Sequence, residues 1–156
     1  MSRGRDQIDW ECELGVVIGH EASHVPVVTA AEYVFGHTLH NDVSNRGERG
    51  DKRLGNDWLI GKSHDAFAPL GPFIVSKEFV PMRMRFALDG ETLQEGNMSQ
   101  MTTGDVIGTG TPASVGPART LPIYLKDGDR SVCTYADVGT LTNPAVGPSV
   151  APGARQ

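Results

Sequence analysis

The sequence predicts an α+β fold that is mainly β, with layered sheets and few short helices. Three observations predict it. Nineteen Gly and ten Pro punctuate short apolar runs, a spacing of turn residues that suits strands better than long helices. Several of those runs alternate apolar and polar residues, the period of a half-buried strand. A helix-start signal is credible at one place only. The 156 residues suit one domain, long enough to bury a real core.

Trp10-Glu11-Cys12-Glu13-Leu14 alternates, which predicts a strand over 10–19. Thr29-Ala30-Ala31-Glu32 is a capping box ahead of Tyr33, Val34 and Phe35, which predicts a helix over 29–35. Alternation through Thr38, His40 and Asp42 gives a strand over 36–42, and further strands are expected at 72–75, 83–88, 106–109, 122–125 and 131–136. Arg85 to Leu88, then Asp89-Gly90, then Glu91 to Gln94 reads as a hairpin with a type I′ turn. Lys126-Asp127-Gly128-Asp129 is a second turn. The charged, Gly-rich stretch 45–57 is expected to be a mobile surface loop. Past about residue 147, Pro, Gly and Ala dominate, so a disordered tail is expected over 147–156 after a domain spanning 1–146. No internal repeat is present.

Composition excludes several partners. A net charge of −5 gives no footprint for nucleic acid or an anionic membrane. No apolar run approaches the length needed to cross a bilayer. The start, Met1 to Asp6, has no apolar core of a secretory signal, so a cytoplasmic protein is expected. Cys12 and Cys133 fit no metal or redox spacing and read as reduced strand residues. The sequon Asn97-Met98-Ser99 is inert without secretion.

Glu11 and Glu13 are two residues apart on one strand and therefore share a face, with Cys12 and Leu14 on the other. Adjacent carboxylates repel, and burial without compensation is costly. A divalent cation removes the conflict and uses their oxygens as ligands. Asp42 arrives as a third acid from the strand over 36–42. An all-oxygen set selects a hard ion, Mg²⁺, Mn²⁺ or Ca²⁺. For the pair alone, the competing reading is a solvated strand edge. Two decoys are rejected. His20-Glu21-Ala22-Ser23-His24 matches H-E-x-x-H, but Gly19 and Pro26 leave no room for the helix a zinc protease needs. Gly61-Lys62-Ser63 lacks the feeding strand and glycine spacing of a phosphate-binding loop.

Six strings occur in one order: Trp10 to Gly15, Asn41-Asp42-Val43-Ser44-Asn45-Arg46, Gly61-Lys62-Ser63-His64-Asp65, Gly104 to Ile107, Thr109-Gly110-Thr111-Pro112, and Gly139 to Pro144. Together they resemble the catalytic domain of the fumarylacetoacetate hydrolase family, from about Asp9 to Val146. The resemblance implies that Glu11, Glu13 and Asp42 hold the cation. It implies that Lys62 reaches the substrate oxygens and that Thr111 meets the substrate's carboxylate end. Arg46 and Gln94 match positions that line the pocket. The implied reaction is hydrolysis of a C–C bond in an acylpyruvate or similar β-diketo acid, through an enolate stabilised by the cation and Lys62. The same stabilisation serves isomerisation, decarboxylation or hydration of 2-oxo acids from aromatic catabolism. A homodimer is the implied assembly.

The chain departs from the family pattern in three places. It begins ten residues before Glu11, where similar enzymes carry further strands and a lid with a water-activating His/Glu pair. The interval between the string Gly96 to Met101 and Gly104-Asp105 is too short for the helix that relatives place there, so an internal deletion near residue 101 is expected. Arg46-Gly47 stands where R-D is usual. His64 shares a face with Lys62 and is a candidate substitute base, although a surface or packing histidine is the commoner reading. A shortened paralogue that binds metal without turnover is therefore the other expectation.

Overall fold

A computed structural model describes residues 6–47, 58–76, 78, 83–97, 108–136 and 138–147. The order is β1 (Ile8–Asp9), β2 (Cys12–Ile18), a 3₁₀ helix (Val27–Tyr33), β3 (Val34–Asn41), β4 (Ser44–Asn45), α1 (Trp58–Lys62), β5 (Leu70–Ser76), β6 (Arg83–Leu88), β7 (Glu91–Asn97), a 3₁₀ turn (Gly116–Ala118), β8 (Arg130–Tyr135) and β9 (Gly139–Pro144). Among the described residues three antiparallel sheets form, with strand orders β1-β4, β2-β3-β5 and β7-β6-β8-β9. The mainly β expectation holds. No described helix is long and apolar enough to cross a membrane.

The core lies between the two larger sheets. Trp10, Cys12 and Leu14 are buried on one face of the β2 segment, together with Leu39, Met84, Phe86 and Tyr135. The Trp10 and Phe86 rings stack with centroids 5.1 Å apart, and truncating either to Ala is expected to cost about 3–5 kcal/mol. Cys12 and Cys133 are free and buried, and burial, then proximity to Cys133, pushes the Cys12 thiol up, so it is a packing residue. Putting the apolar residues of this strand inward leaves Glu11 and Glu13 together on the opposite face.

The hairpin at Asp89-Gly90 forms as expected. Both residues have positive φ, 48° and 88°, as a type I′ turn requires. Gly128, at φ 93°, makes the second turn, closed by an Asp129 N–H to Lys126 carbonyl bond of 3.1 Å.

Two expectations are corrected. The helix expected at 29–35 is a 3₁₀ helix, and Val34 and Phe35 already belong to β3. Thr29 Oγ1 bonds back to the Pro26 carbonyl at 3.1 Å, and no residue of the segment is buried, so no packed face sustains an α-helix. Residues 122–125 form no strand. Pro122 brings no N–H, and Leu125 makes one isolated bond to the Ile8 carbonyl at 2.8 Å while its side chain enters the core. Of the strand expected at 106–109, Gly108 forms a lone bridge to Gly15, and 106–107 lie outside the described residues. β9 was expected only as a motif. The loop at 48–57 and the tail at 148–156 also lie outside the described residues.

Candidate metal centre

The antiparallel register of β2 and β3 builds the site. Glu13 pairs with His40 and Cys12 with Asn41, and the Asp42 N–H donates to the Glu11 carbonyl at 2.8 Å. This pairing brings Asp42 beside the two glutamates. Carboxylate oxygens of Glu11, Glu13 and Asp42 all lie within 4.8 Å of one another. Ligands about 2.0–2.6 Å from one ion have that spread, so the three residues fit a hard divalent cation.

Two cationic side chains reach the same carboxylates. The five-residue helix α1 delivers Lys62, whose Nζ donates to Glu11 Oε2 at 2.9 Å and also to Asp42 Oδ2. Arg46 follows β4, which doubles back along β1. Its Nε donates to Asp9 Oδ2 at 3.2 Å and its second guanidinium nitrogen to Glu11 Oε1. Burial alone would lower the pKa of both cations. Asp42 and Glu11 outweigh it for Lys62, Glu11 and Asp9 outweigh it for Arg46, and both stay charged. Four carboxylates thus face two cations, which leaves the cluster with unbalanced negative charge of the kind a divalent ion neutralises.

Asp9 is a fourth acid of the cluster, outside the metal-ligand motifs. It is fully buried, accepts the Gly116 N–H at 2.8 Å, and has its pKa pushed up to about 6 by burial against the pull of Gly116 and Arg46. It continues the period-2 set Asp9, Glu11, Glu13, which is the signal that would have found it. His40 Nδ1 lies 3.4 Å from Glu13 Oε2. Gly108 approaches so closely that a Cβ there would stand 2.2 Å from Glu13 Oε2.

Thr111 and Gln94 form a second node on the backbone between the glutamates. Thr111 Oγ1 donates to the Cys12 carbonyl at 3.1 Å and accepts from Gln94 Nε2 at 3.0 Å. Gln94 also donates to the Pro112 carbonyl at 2.8 Å. Its amide nitrogen is therefore spent on holding this loop. His64 faces elsewhere. Its Nε2 meets the Asn45 amide at 3.3 Å and its ring packs edge-on against Phe67, with centroids 5.0 Å apart.

Comparison with known proteins agrees with this construction. A family model described as fumarylacetoacetate (FAA) hydrolase C-terminal matches residues 1–104 and 101–146, two segments that overlap at 101–104. The human mitochondrial oxaloacetate tautomerase FAHD2A is 38% identical, over 90% of this chain and 51% of its own length. The crystallised fumarylacetoacetate hydrolase of Exiguobacterium antarcticum superposes with a TM-score of 0.83 at 32% identity, covering 93% of this chain and 58% of that one. A 5-carboxymethyl-2-hydroxymuconate delta-isomerase from Mycobacterium smegmatis gives 0.74 at 35% identity, over 92% of this chain and 60% of that one. The chain spans about half the length of the curated relatives it matches. It belongs to the fumarylacetoacetate hydrolase family, through the C-terminal domain.

Proposed function

We propose that this chain is an enzyme that enolises a 2-oxo acid, with keto–enol interconversion of an oxaloacetate-like dicarboxylate as its first reaction. The convergence of Glu11, Glu13 and Asp42 around the reach of Lys62 carries the reading. A Mg²⁺ or Mn²⁺ ion held by the three carboxylates would supply Lewis-acid polarisation of the substrate oxygens. Lys62 donates hydrogen bonds to the oxygen on which charge accumulates as the α-proton leaves. Arg46 holds Glu11 in orientation from Asp9. Gln94 and the Thr111 hydroxyl fix the loop at Thr111, whose backbone takes the substrate's carboxylate end. The likeness to the tautomerase supports the proton-transfer reaction, which needs no water.

C–C hydrolysis of an acylpyruvate is the second reading, and the likeness to the Exiguobacterium hydrolase favours it. It uses the same enolate as leaving group and adds attack by water. The working unit in either case is a homodimer. Its support is the apolar surface of the β2-β3-β5 sheet, where Phe35 is 61% exposed and Phe73 56%.

Both readings are separated by one assay pair. Purified chain with Mn²⁺ is given enolic oxaloacetate, followed by ultraviolet absorbance, and fumarylpyruvate, followed by pyruvate release. Accelerated ketonisation that vanishes in Glu11→Ala is the expected result. Release of pyruvate instead selects the hydrolase. A chain that binds Mn²⁺ and accelerates neither supports the metal-binding paralogue without turnover and overturns both.

A further inference from the structure

Lys62 is ion-paired with Glu11 and Asp42, and Arg46 with Glu11 and Asp9. The third convergent carboxylate, Glu13, is only 4% exposed, so it too needs a partner. Among the described residues the basic group beside it is His40, itself buried, whose Nδ1 lies 3.4 Å from Glu13 Oε2.

The sheet builds this pair. Glu13 and His40 stand directly opposite in the antiparallel β2–β3 register, so their side chains leave the same face as neighbours. A backbone segment closes over them. Gly108 bridges to Gly15, and the Thr109 N–H donates to the Leu14 carbonyl at 3.1 Å. A Cβ at position 108 would stand 2.2 Å from Glu13 Oε2 and 3.4 Å from His40 Nδ1, so the glycine leaves these two atoms facing each other.

His40 Nδ1 is buried, and no hydrogen bond to another described residue satisfies it. A bare nitrogen there would set its lone pair against a carboxylate oxygen, whereas an N–H is attracted to it. The proton therefore belongs on Nδ1, and Nε2 is the bare nitrogen of the neutral ring. At 3.4 Å the contact is just longer than a formed N–H···O bond of roughly 2.7–3.2 Å, and a small shift of either side chain closes it.

We infer that His40 is a positioning residue of the metal centre: its Nδ1–H holds Oε2 of Glu13 and leaves Oε1 for the cation. This role rests on the proposed cation site and names the residue that fixes its third ligand. Arg46 does the same for Glu11. A carboxylate held at one oxygen has less freedom to lose when the ion arrives.

The test uses the full chain with Mg²⁺ as the only added ligand. Nitrogen resonances of the histidine rings are recorded at mildly alkaline pH, where an ordinary imidazole is neutral. The His40 proton is expected on Nδ1, and it should stay there when Mg²⁺ saturates the site. A bare Nδ1 overturns the proposal. So does loss of the Nδ1 proton on adding Mg²⁺, which would make the ring a ligand. Calorimetry reads the same role through affinity. His40→Leu should weaken Mg²⁺ binding by at least about tenfold, as loss of a ligand's support does. His40→Asn, whose amide nitrogen takes the place of Nδ1, should recover to within about threefold of the parent. Equal losses in the two variants would leave only a packing role, and no loss in either would leave none; both overturn the proposal. The ring spectrum needs no variant, so a poorly folded mutant does not shelter the idea. A wild-type chain that takes up no Mg²⁺ defeats the cation site and this role together, whereas uptake with a bare Nδ1 defeats the role alone.

Discussion

The Lys62 ammonium lies 2.9 Å from Oε2 of Glu11 and also donates to Oδ2 of Asp42, so one monovalent cation bridges two of three convergent carboxylates. A divalent ion entering among Glu11, Glu13 and Asp42 must compete with it. Calorimetry with Mn²⁺ or Mg²⁺ should show one site, lost in Glu11→Ala and in Asp42→Ala. Lys62→Met should tighten that site by up to about tenfold at low salt, because a competing charge is removed. Unchanged affinity in all three variants would remove the metal assignment.

The same substitution should have the opposite effect on turnover. If Lys62 acts on charge that develops in the transition state, Lys62→Met lowers kcat by about 10²-fold or more and moves KM little. Tighter metal with slower chemistry is a combination that simple structural damage does not produce. A rise in KM alone would assign Lys62 to ground-state binding.

Gly108→Ala tests the packing around Glu13. The added Cβ would meet Glu13 Oε2 at 2.2 Å and His40 Nδ1 at 3.4 Å, both side-chain atoms. The carboxylate tip can move aside, so thermal stability should change little. Cation affinity should fall about tenfold or more, as when the support of a metal ligand is disturbed. A large drop in melting temperature with intact cation binding would show that the contact serves folding instead.

Asp9 predicts a pH signature in the cation-free chain. Its carboxyl is raised from an ordinary 3.8 to about 6, chiefly by burial, so the folded state holds the proton more tightly than the unfolded chain. Its contribution to stability is then fully present below about pH 4 and is lost as pH rises through about 6. Urea unfolding of the wild-type chain and Asp9→Asn between these values isolates the group. The stability difference, wild type minus variant, should fall with rising pH, and a rising difference would contradict the assignment.

The site was legible where local period carries information. Glu11, Glu13 and the inward Trp10, Cys12 and Leu14 follow from alternation alone, and Asp89-Gly90 follows from the demand for two positive φ values. Asp9 escaped because the expected strand began at Trp10, although β1 extends the same alternation. The helix holding Lys62 has five residues, too few to show a 3.6-residue period. β9 buries only Leu141 among its six residues, so no apolar alternation announced it. Its place comes from pairing with β8, which is tertiary information. The helix expected at 29–35 failed for a related reason: its capping signal was local, and nothing packs on it.

The separation of the acidic residues along the chain has a kinetic consequence. Glu11 and Asp42 meet only after β2 and β3 have paired across the intervening segment, and Lys62 joins from 51 residues beyond Glu11. The β6–β7 hairpin, by contrast, closes through a two-residue turn. Loop closure makes the nearby pairing fast and the distant one slow, so the hairpin leads and the acidic cluster is assembled late. Interactions absent from the folding transition state act on the unfolding rate. A bound cation should therefore lengthen the lifetime of the native chain, leaving the speed of refolding nearly as it was.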